Sequence, residues 1–217
     1  DMLRSDLPRV RKILPPVFLP STKLSEEQGN DTISANNTIK LGFFGQFRKE
    51  KNIERFIDAF VSLNYDDSVQ LVVQGATVKP EDGELFESII KKYSKYSNIK
   101  FIHASLIGKD WDAALMSVNA LLLPYGAERY RYHWAAMLFT AIGFCKPVLI
   151  SPEINPEVLE KYSIGEVLNL DDVNTIAQGI SKFVGNLQHN KEIYNQGLID
   201  ANNDYSHKRL IQSVIHV

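Results

Sequence analysis

Short, continuous apolar runs alternate with segments of helical periodicity along most of the chain. The first run starts at Ile39 and is closed by Gly45. A polar, basic turn over residues 46–51 then leads into a segment whose apolar side chains recur at helical spacing from Ile53 to Val61. We predict further strands at residues 69–75, 99–104, 120–125, 147–151 and 165–170.

Helical segments are predicted between these strands and after the last one. They cover residues 81–96, 109–118, 130–143 and 172–186, and two further helices follow toward the C-terminus. Strands that are apolar throughout, rather than alternating, indicate a parallel sheet that is covered on both faces. The predicted fold class is therefore α/β, with a Rossmann-like, doubly wound parallel sheet of five or six strands.

Ligands of such sheets bind at the carboxyl ends of the strands. The segments that follow the strands are residues 45–51, 75–77, 103–106, 124–134 and 151–157. In the first of them, Gly45 allows a sharp turn, and the amides at the helix start together with Arg48, Lys49 and Lys51 favour an anion. A phosphate-bearing ligand is the sharper interpretation, and a solvated basic loop is the alternative.

The first 38 residues differ in character from the rest. A start that contains Pro8, Pro15, Pro16 and Pro20 precedes a polar run over residues 21–38 that lacks periodicity. We predict that residues 1–38 form a linker or an extended arm, and that residues 39–217 form the Rossmann-like domain.

The composition narrows the range of partners. The formal net charge is −2 over 217 residues, so the chain has no general basic surface, and we expect no nucleic-acid partner. A single cysteine, Cys145, excludes an internal disulfide and a cysteine-based metal cluster, and no apolar run is long enough to span a bilayer. We expect a cytoplasmic protein without a metal site, and leave open a peripheral association with the membrane.

Three stretches carry a family resemblance. Residues 45–52, GQFRKEKN, correspond to a motif of the form G-R-x-x-x-x-K-G. Residues 72–76, VVQGA, end the second strand in a Gly-containing turn, and residues 121–151, LLLPYGAERYRYHWAAMLFTAIGFCKPVLIS, follow the pattern P-S-x-x-E-x-F-G…E-A-x-x-x-G-x-P-V. In this order the stretches resemble the C-terminal, donor-binding domain of the GT-B, group 1 glycosyltransferases, the retaining family that uses nucleotide sugars.

The resemblance implies a nucleoside-diphosphate sugar as donor substrate, transfer of its sugar to an acceptor as in polysaccharide biosynthesis, and no cofactor. It places the stabilisation of the leaving diphosphate on Lys51 and Arg48. Gln46 stands where the family has its diphosphate-binding arginine, so that role is lost or passes to Arg48. The remaining candidate donor contacts come from the strand-end loops and the fourth predicted helix: Gly45, Gln46, Gly75, His103, Leu106, Glu128, Arg129, Arg131, His133 and Thr140.

The sequence departs from the family at both of its glutamates. The loop before the fourth predicted helix is longer than the family pattern, so the first glutamate corresponds to Glu128 when counted from the front and to Tyr132 when counted from the back. The second glutamate, which normally holds the nucleotide ribose, corresponds to Thr140 or to Ala136, and is absent in either alignment.

Enzymes of the GT-B fold bind the acceptor in a second, N-terminal domain. This chain holds one set of βα units, so we expect the acceptor-binding domain to be missing from it, and we expect the chain to be inactive alone. A sugar-nucleotide epimerase-like protein, or a non-catalytic module that binds nucleotide sugars, is the alternative. A dinucleotide-dependent oxidoreductase is disfavoured, because the chain lacks a G-x-G-x-x-G turn.

Overall fold

A computed structural model describes residues 16–20, 38–131, 133–190 and 192–215. In these residues six strands form one sheet, in the order β3-β2-β1-β4-β5-β6, and every neighbouring pair is parallel. The strands are β1 (Ile39–Phe43), β2 (Val69–Gly75), β3 (Ile99–His103), β4 (Ala120–Leu123), β5 (Val148–Ile150) and β6 (Gly165–Val167).

Helices connect consecutive strands and follow the last one. They are α1 (Ile53–Ser62), α2 (Pro80–Tyr93), α3 (Gly108–Met116), α4 (Ala136–Gly143), α5 (Pro156–Lys161), α6 (Val173–His189), α7 (Asn195–Asp204) and α8 (His207–Ile215). Two short 3-10 turns, Lys49–Lys51 and Glu128–Arg131, precede α1 and α4.

The position of β1 in the sheet determines where a ligand can bind. Its register with β2 pairs Ile39 with Val69, and on its other side Leu41 pairs with Ala120 of β4. From β1 the chain first winds outward through β2 and β3, and then returns to the opposite side of β1 with β4. The loops after β1 and β4 therefore diverge at the switch point of the sheet, which is where α/β folds form a binding crevice.

Burial of apolar side chains on both faces of the central strands holds the sheet in place. Leu41 and Phe43 of β1 are fully buried, as is all of β4. α1 packs against α6, while α4 packs on β4 and is buried from Leu138 through Gly143. A helix that is apolar around its whole circumference lies inside the domain, and the N-terminus of α4 is thereby fixed against the end of β4.

The predicted doubly wound, all-parallel sheet is confirmed, and so are the two helices expected near the C-terminus. One predicted helix boundary is wrong: the helix expected over residues 130–143 begins only at Ala136. The residues before it form a 3-10 turn in which Tyr130 N–H donates to Ala127 O at 3.0 Å. Contacts of the aromatic rings explain the difference, because Tyr130 packs on Tyr125 and Trp134 stacks on Phe18.

Two other segments also differ from expectation. The short helix α5 was not predicted, since residues 151–157 had the character of a loop, and β6 is shorter than the run over residues 165–170. Of the predicted linker, residues 1–15 and 21–37 lie outside the described residues. Between them Val17 is buried, and its N–H donates to Tyr205 O at 2.8 Å.

Candidate functional site

A cavity of about 340 Å³ lies at the switch point, between the turns that follow β1 and β4. The turn after β1 contributes Arg48 and Lys51, and the segment after β4 contributes the other wall. Its lining residues are Arg48, Lys51, Tyr125, Arg129, Tyr130, His133, Trp134, Ala135, Ala136 and Met137.

The turn after β1 is held by one buried glutamine. Gly45, with φ at 112°, donates its N–H to Gln74 Oε1 at 2.8 Å, and Gln74 Nε2 donates to Ala104 O at 2.5 Å. The backbones of Gly45 and Phe47 also exchange hydrogen bonds with Ala76 at 3.1 and 2.8 Å. The ends of β1, β2 and β3 are therefore tied together, and the positive φ requires glycine at position 45.

Lys51 is the most deeply buried cation of the cavity, with 8% of its surface exposed. Its Nζ lies 4.7 Å from the centroid of the Tyr125 ring and 5.7 Å from that of Phe43, so two aromatic faces contact the ammonium group. Burial, together with the neighbouring positive charge of Arg48, lowers the pKa of Lys51 to about 8, while Glu50 opposes the shift. A buried ammonium of this kind gains from any anion that enters the cavity.

A small charge network surrounds that ammonium. The carboxylate of Glu50 pairs with Arg48 at 3.9 Å and with Arg129, and Arg48 Nη2 donates to Gln46 Oε1 at 3.1 Å. Arg129 also lies over the Tyr130 ring, with its guanidinium carbon 5.1 Å from the centroid. One carboxylate thus faces three cations, and the cavity has an excess of positive charge.

The opposite wall is the N-terminus of α4. Leu138 N–H donates to Ala135 O at 2.9 Å and Ala135 N–H donates to Asn155 Oδ1 at 3.2 Å, but the first helical amides, at Ala136 and Met137, precede the hydrogen-bonded part of the helix. Among the described residues no side chain caps this end, and its first turn holds no acidic residue. The amides and the positive end of the helix dipole are available to an anion in the cavity.

The structure brings together four of the sequence-predicted residues, namely Lys51, Arg48, Arg129 and His133, in the wall of one cavity. Gly45 lies directly behind them, since a Cβ on it would be 3.8 Å from Lys51 Nζ.

The other predicted residues lie outside this wall. Gln46 bridges to Ala76 and holds Arg48, whereas Glu128 and Arg131 lie on the exposed Glu128–Arg131 turn. Gly75 provides space for Phe86, whose ring would be 2.8 Å from a Cβ at that position.

His103, Leu106 and Thr140 are placed farther away. The ring of His103 is held between the carboxylate of Glu87 and the hydroxyl of Thr77, the latter at 2.9 Å. Leu106 lines a larger cavity of about 760 Å³ beside α3 on the face of the sheet, away from the cationic turn. Thr140 is buried in α4, where its hydroxyl donates to Ala136 O at 2.9 Å.

The sequence did not predict a role in the site for Gln74, Tyr125, Trp134 or Met137. Tyr125 and Trp134 lie in segment 124–134, which was predicted to be near the ligand, but no role was predicted for either residue. Gln74 could have been noticed as a polar residue inside an apolar strand, because such residues are seldom buried without a specific role. It is buried, with 1% of its surface exposed.

Two properties hold for the described parts of the chain. None of their helices has the length and apolar character needed to cross a membrane. No group of three or more His, Cys, Asp and Glu side chains is arranged there to hold a metal ion.

Comparison with known proteins gives one family. The sequence profile described as "Glycosyl transferases group 1" matches residues 25–198. A search of curated protein sequences gives no significant match.

Solved structures share the fold at low sequence identity. The C-terminal domain of the group 1 family glycosyl transferase LpcC from Francisella tularensis is 17% identical, with a TM-score of 0.61 over 91% of this chain and 95% of that one. WaaG, a glycosyltransferase involved in lipopolysaccharide biosynthesis, is 18% identical, with a TM-score of 0.66 over 94% of this chain and 54% of that one. HepE from Anabaena, solved in complex with UDP, is 14% identical, with a TM-score of 0.69 over 89% and 52%. The chain therefore spans about half the length of WaaG and HepE.

Proposed function

The chain belongs to the group 1 glycosyl transferases, and we propose that its domain binds the nucleoside-diphosphate sugar that donates the sugar in a transfer reaction. The observation that carries the proposal is the buried ammonium of Lys51, which faces the amide end of α4 across a cavity at the switch point of the sheet. A buried cation and uncapped helix amides on facing walls are complementary to a diphosphate.

The proposed chemistry follows from how such a donor reacts. When the bond between the sugar and the diphosphate breaks, negative charge grows on the phosphate oxygen that leaves. In this proposal Lys51 and Arg48, which line the cavity, stabilise that charge from one side, and the first amides of α4 stabilise it from the other. Arg129 adds a second guanidinium, which Glu50 and Tyr130 hold at the rim of the cavity.

The volume of the cavity supports a ligand of the size of a nucleoside-diphosphate sugar. Its volume of about 340 Å³ is at the lower end of the range for small-molecule sites, roughly 300–1,000 Å³. HepE, which shares the fold, has been solved with UDP and with UDP-glucose, so uridine nucleotides are the first donors to test.

A second candidate function is donor binding without sugar transfer, as a non-catalytic or epimerase-like module. The specific observation that favours this second function is the presence of Thr140 where the family has a glutamate. This residue stands at the place of the family's ribose-binding glutamate in one alignment, and its hydroxyl is already bonded to Ala136 O. A donor bound here lacks that carboxylate contact and depends more heavily on the diphosphate.

Calorimetric titration of the protein with UDP-, GDP- and TDP-sugars, their free nucleosides and NAD tests the proposal. We expect one or more nucleoside-diphosphate sugars to bind well above the corresponding nucleoside, and NAD to bind no better than a nucleoside. Tight binding of NAD alone, or equal affinity for a nucleoside and its diphosphate sugar, would contradict the proposal. Release of UDP from a bound UDP-sugar then separates transferase or hydrolase activity from binding alone.

A further inference from the structure

Tyr125, the second residue after β4, has a buried hydroxyl with no hydrogen-bond partner among the described residues. The residue is 3% exposed, and it lines the cavity proposed to bind the diphosphate. A buried hydroxyl without a partner makes the folded protein less stable than an apolar side chain of the same shape would. Phenylalanine would fill the same space without this loss of stability, so packing of the free protein does not explain why a hydroxyl is present here.

The ring of Tyr125 is held firmly. Its backbone carbonyl accepts a hydrogen bond from Ser151 Oγ at 2.6 Å, and Phe43 contacts the ring edge-to-face at 6.3 Å between centroids. The ammonium of Lys51 lies over its face, 4.7 Å from the centroid. Packing therefore fixes the hydroxyl beside the cation that is best placed to attract a phosphate.

We propose that the Tyr125 hydroxyl donates a hydrogen bond to a phosphate oxygen of the donor, which makes Tyr125 a binding residue for the diphosphate. This inference rests on the proposed function of the cavity. The phenol adds a neutral donor to a cavity that is also lined by the cations Lys51, Arg48 and Arg129. Its missing hydrogen bond in the free protein is then supplied by the ligand.

One side chain has to move for this contact to form. The hydroxyl oxygen is shielded from solvent, and the half-buried ring of Tyr130 packs on Tyr125 with 5.1 Å between centroids. Tyr130 belongs to the short Glu128–Arg131 turn and lines the same cavity. Displacement of this ring opens the hydroxyl to a phosphate without any change in the sheet.

The protonation of the phenol suits this role. Burial raises the pKa of Tyr125 above its ordinary value, and the neighbouring Tyr130 raises it further. The hydroxyl therefore keeps its proton at every pH at which Lys51 titrates, and it can donate to a phosphate throughout that range.

The test compares Tyr125→Phe with Tyr162→Phe. Both tyrosines are buried, but Tyr162 donates its hydroxyl to Asp204 Oδ2 at 2.6 Å and lies outside the cavity lining. The ligands are UDP and inorganic pyrophosphate, titrated by calorimetry, and the melting temperature is measured with and without UDP. Pyrophosphate probes the phosphate contact without any contribution from a base.

The two variants have opposite expected results. Tyr125→Phe keeps or raises the melting temperature of the free protein and weakens binding of both ligands by about 10- to 100-fold, as expected for a lost hydrogen bond to a charged group. Tyr162→Phe lowers the melting temperature and leaves both affinities unchanged.

Three outcomes would contradict the inference on Tyr125, and only one of them would also contradict the proposed function. If wild-type protein binds UDP and pyrophosphate and Tyr125→Phe binds them equally well, the inference fails and the proposed function stands. If Tyr125→Phe weakens binding only at low ionic strength, the change acts through the cations, and the hydrogen bond is excluded. If wild-type protein binds neither ligand, the proposed function fails together with the inference.

Discussion

The backbone N–H of Gly45 donates a 2.8 Å hydrogen bond to Oε1 of Gln74, a residue on the neighbouring strand. The same glutamine donates through Nε2 to Ala104 O beyond the end of β3. A single buried amide side chain at the end of β2 thus joins the loops after β1 and β3. Lys51 is held at the cavity by a turn that this amide fixes.

We expect Gln74→Leu to lower the free energy of unfolding by roughly 1–3 kcal/mol, because it leaves the Gly45 N–H and the Ala104 carbonyl without a partner. Urea unfolding monitored by circular dichroism measures the change. The control is Gln70→Leu, since Gln70 is only half-buried and its one amide contact, to Asp67 O, is long at 3.4 Å. A change of the same size in both variants would mean that the loop contacts of Gln74 carry no special weight.

We expect Lys51→Met to weaken binding of a nucleoside diphosphate by one to two orders of magnitude, since a hydrogen bond to a charged group contributes roughly 1.5–3 kcal/mol. Binding of the bare nucleoside should hardly change. The matched control is Lys49→Met, because Lys49 lies on the same turn but is exposed and outside the cavity lining. Equal losses for nucleoside and diphosphate would show that Lys51 serves the fold rather than the phosphates.

The pKa of Lys51, lowered to about 8 in the free protein, predicts how binding depends on pH. A bound phosphate stabilises the ammonium form and raises that pKa, so binding takes up a proton where the free lysine has lost it. The affinity for UDP should therefore fall as the pH rises through about 8 toward about 10. Titrations in two buffers of different ionisation enthalpy measure the proton uptake, and Lys51→Met should abolish both effects. A wild-type affinity that is constant to about pH 10 would contradict the prediction.

Two helical glycines should respond in opposite ways to alanine. A Cβ on Gly143 would lie 2.0 Å from Phe18 O, whereas a Cβ on Gly185 would have no atom within 4 Å. Gly143→Ala should therefore be strongly destabilising, because the residues 16–20 must shift. Gly185→Ala should be more stable by roughly 0.5–1 kcal/mol, from helix propensity alone. Thermal melts of both variants provide the comparison, and stabilisation by Gly143→Ala would show that this close contact does not exist in solution.

We expect this chain alone not to catalyse sugar transfer at a rate typical of enzymes. It spans about half the length of WaaG and HepE, and alignment of a donor against an acceptor contributes roughly 7–11 kcal/mol to such reactions. Phosphate contacts are local to one domain, so donor binding should survive without transfer. The measurement is release of UDP from UDP-glucose over many turnovers, with and without sugar acceptors. Sustained turnover by these 217 residues would disprove the expectation.

The sheet could be predicted from the sequence because strands that are buried on both faces consist of consecutive apolar residues. All four residues of β4 are apolar and buried, and so are Ile39, Leu41 and Phe43 of β1. The start of α4 could not be predicted in the same way. The aromatic residues before it are compatible with a helix, and ring contacts with Tyr125 and Phe18 decide against one.

The site was predictable where it depends on local sequence. Gly45 and Lys51 lie within one turn, so their proximity follows from spacing. Gln74 meets Gly45 from 29 positions away, and Arg129 meets Glu50 from 79. Contacts of that kind depend on the order of the strands and on the path of a long loop, which no local pattern specifies.

The stacking of Phe18 on Trp134, with 5.4 Å between ring centroids, links the cavity to a distant part of the polypeptide. Trp134 lines the cavity, while Phe18 belongs to the short segment anchored by Val17 on Tyr205. A displacement of that segment would therefore alter a ring contact on one wall of the cavity. Because coupling between two positions is reciprocal, a ligand that tightens this wall also restrains the backbone at residues 16–20.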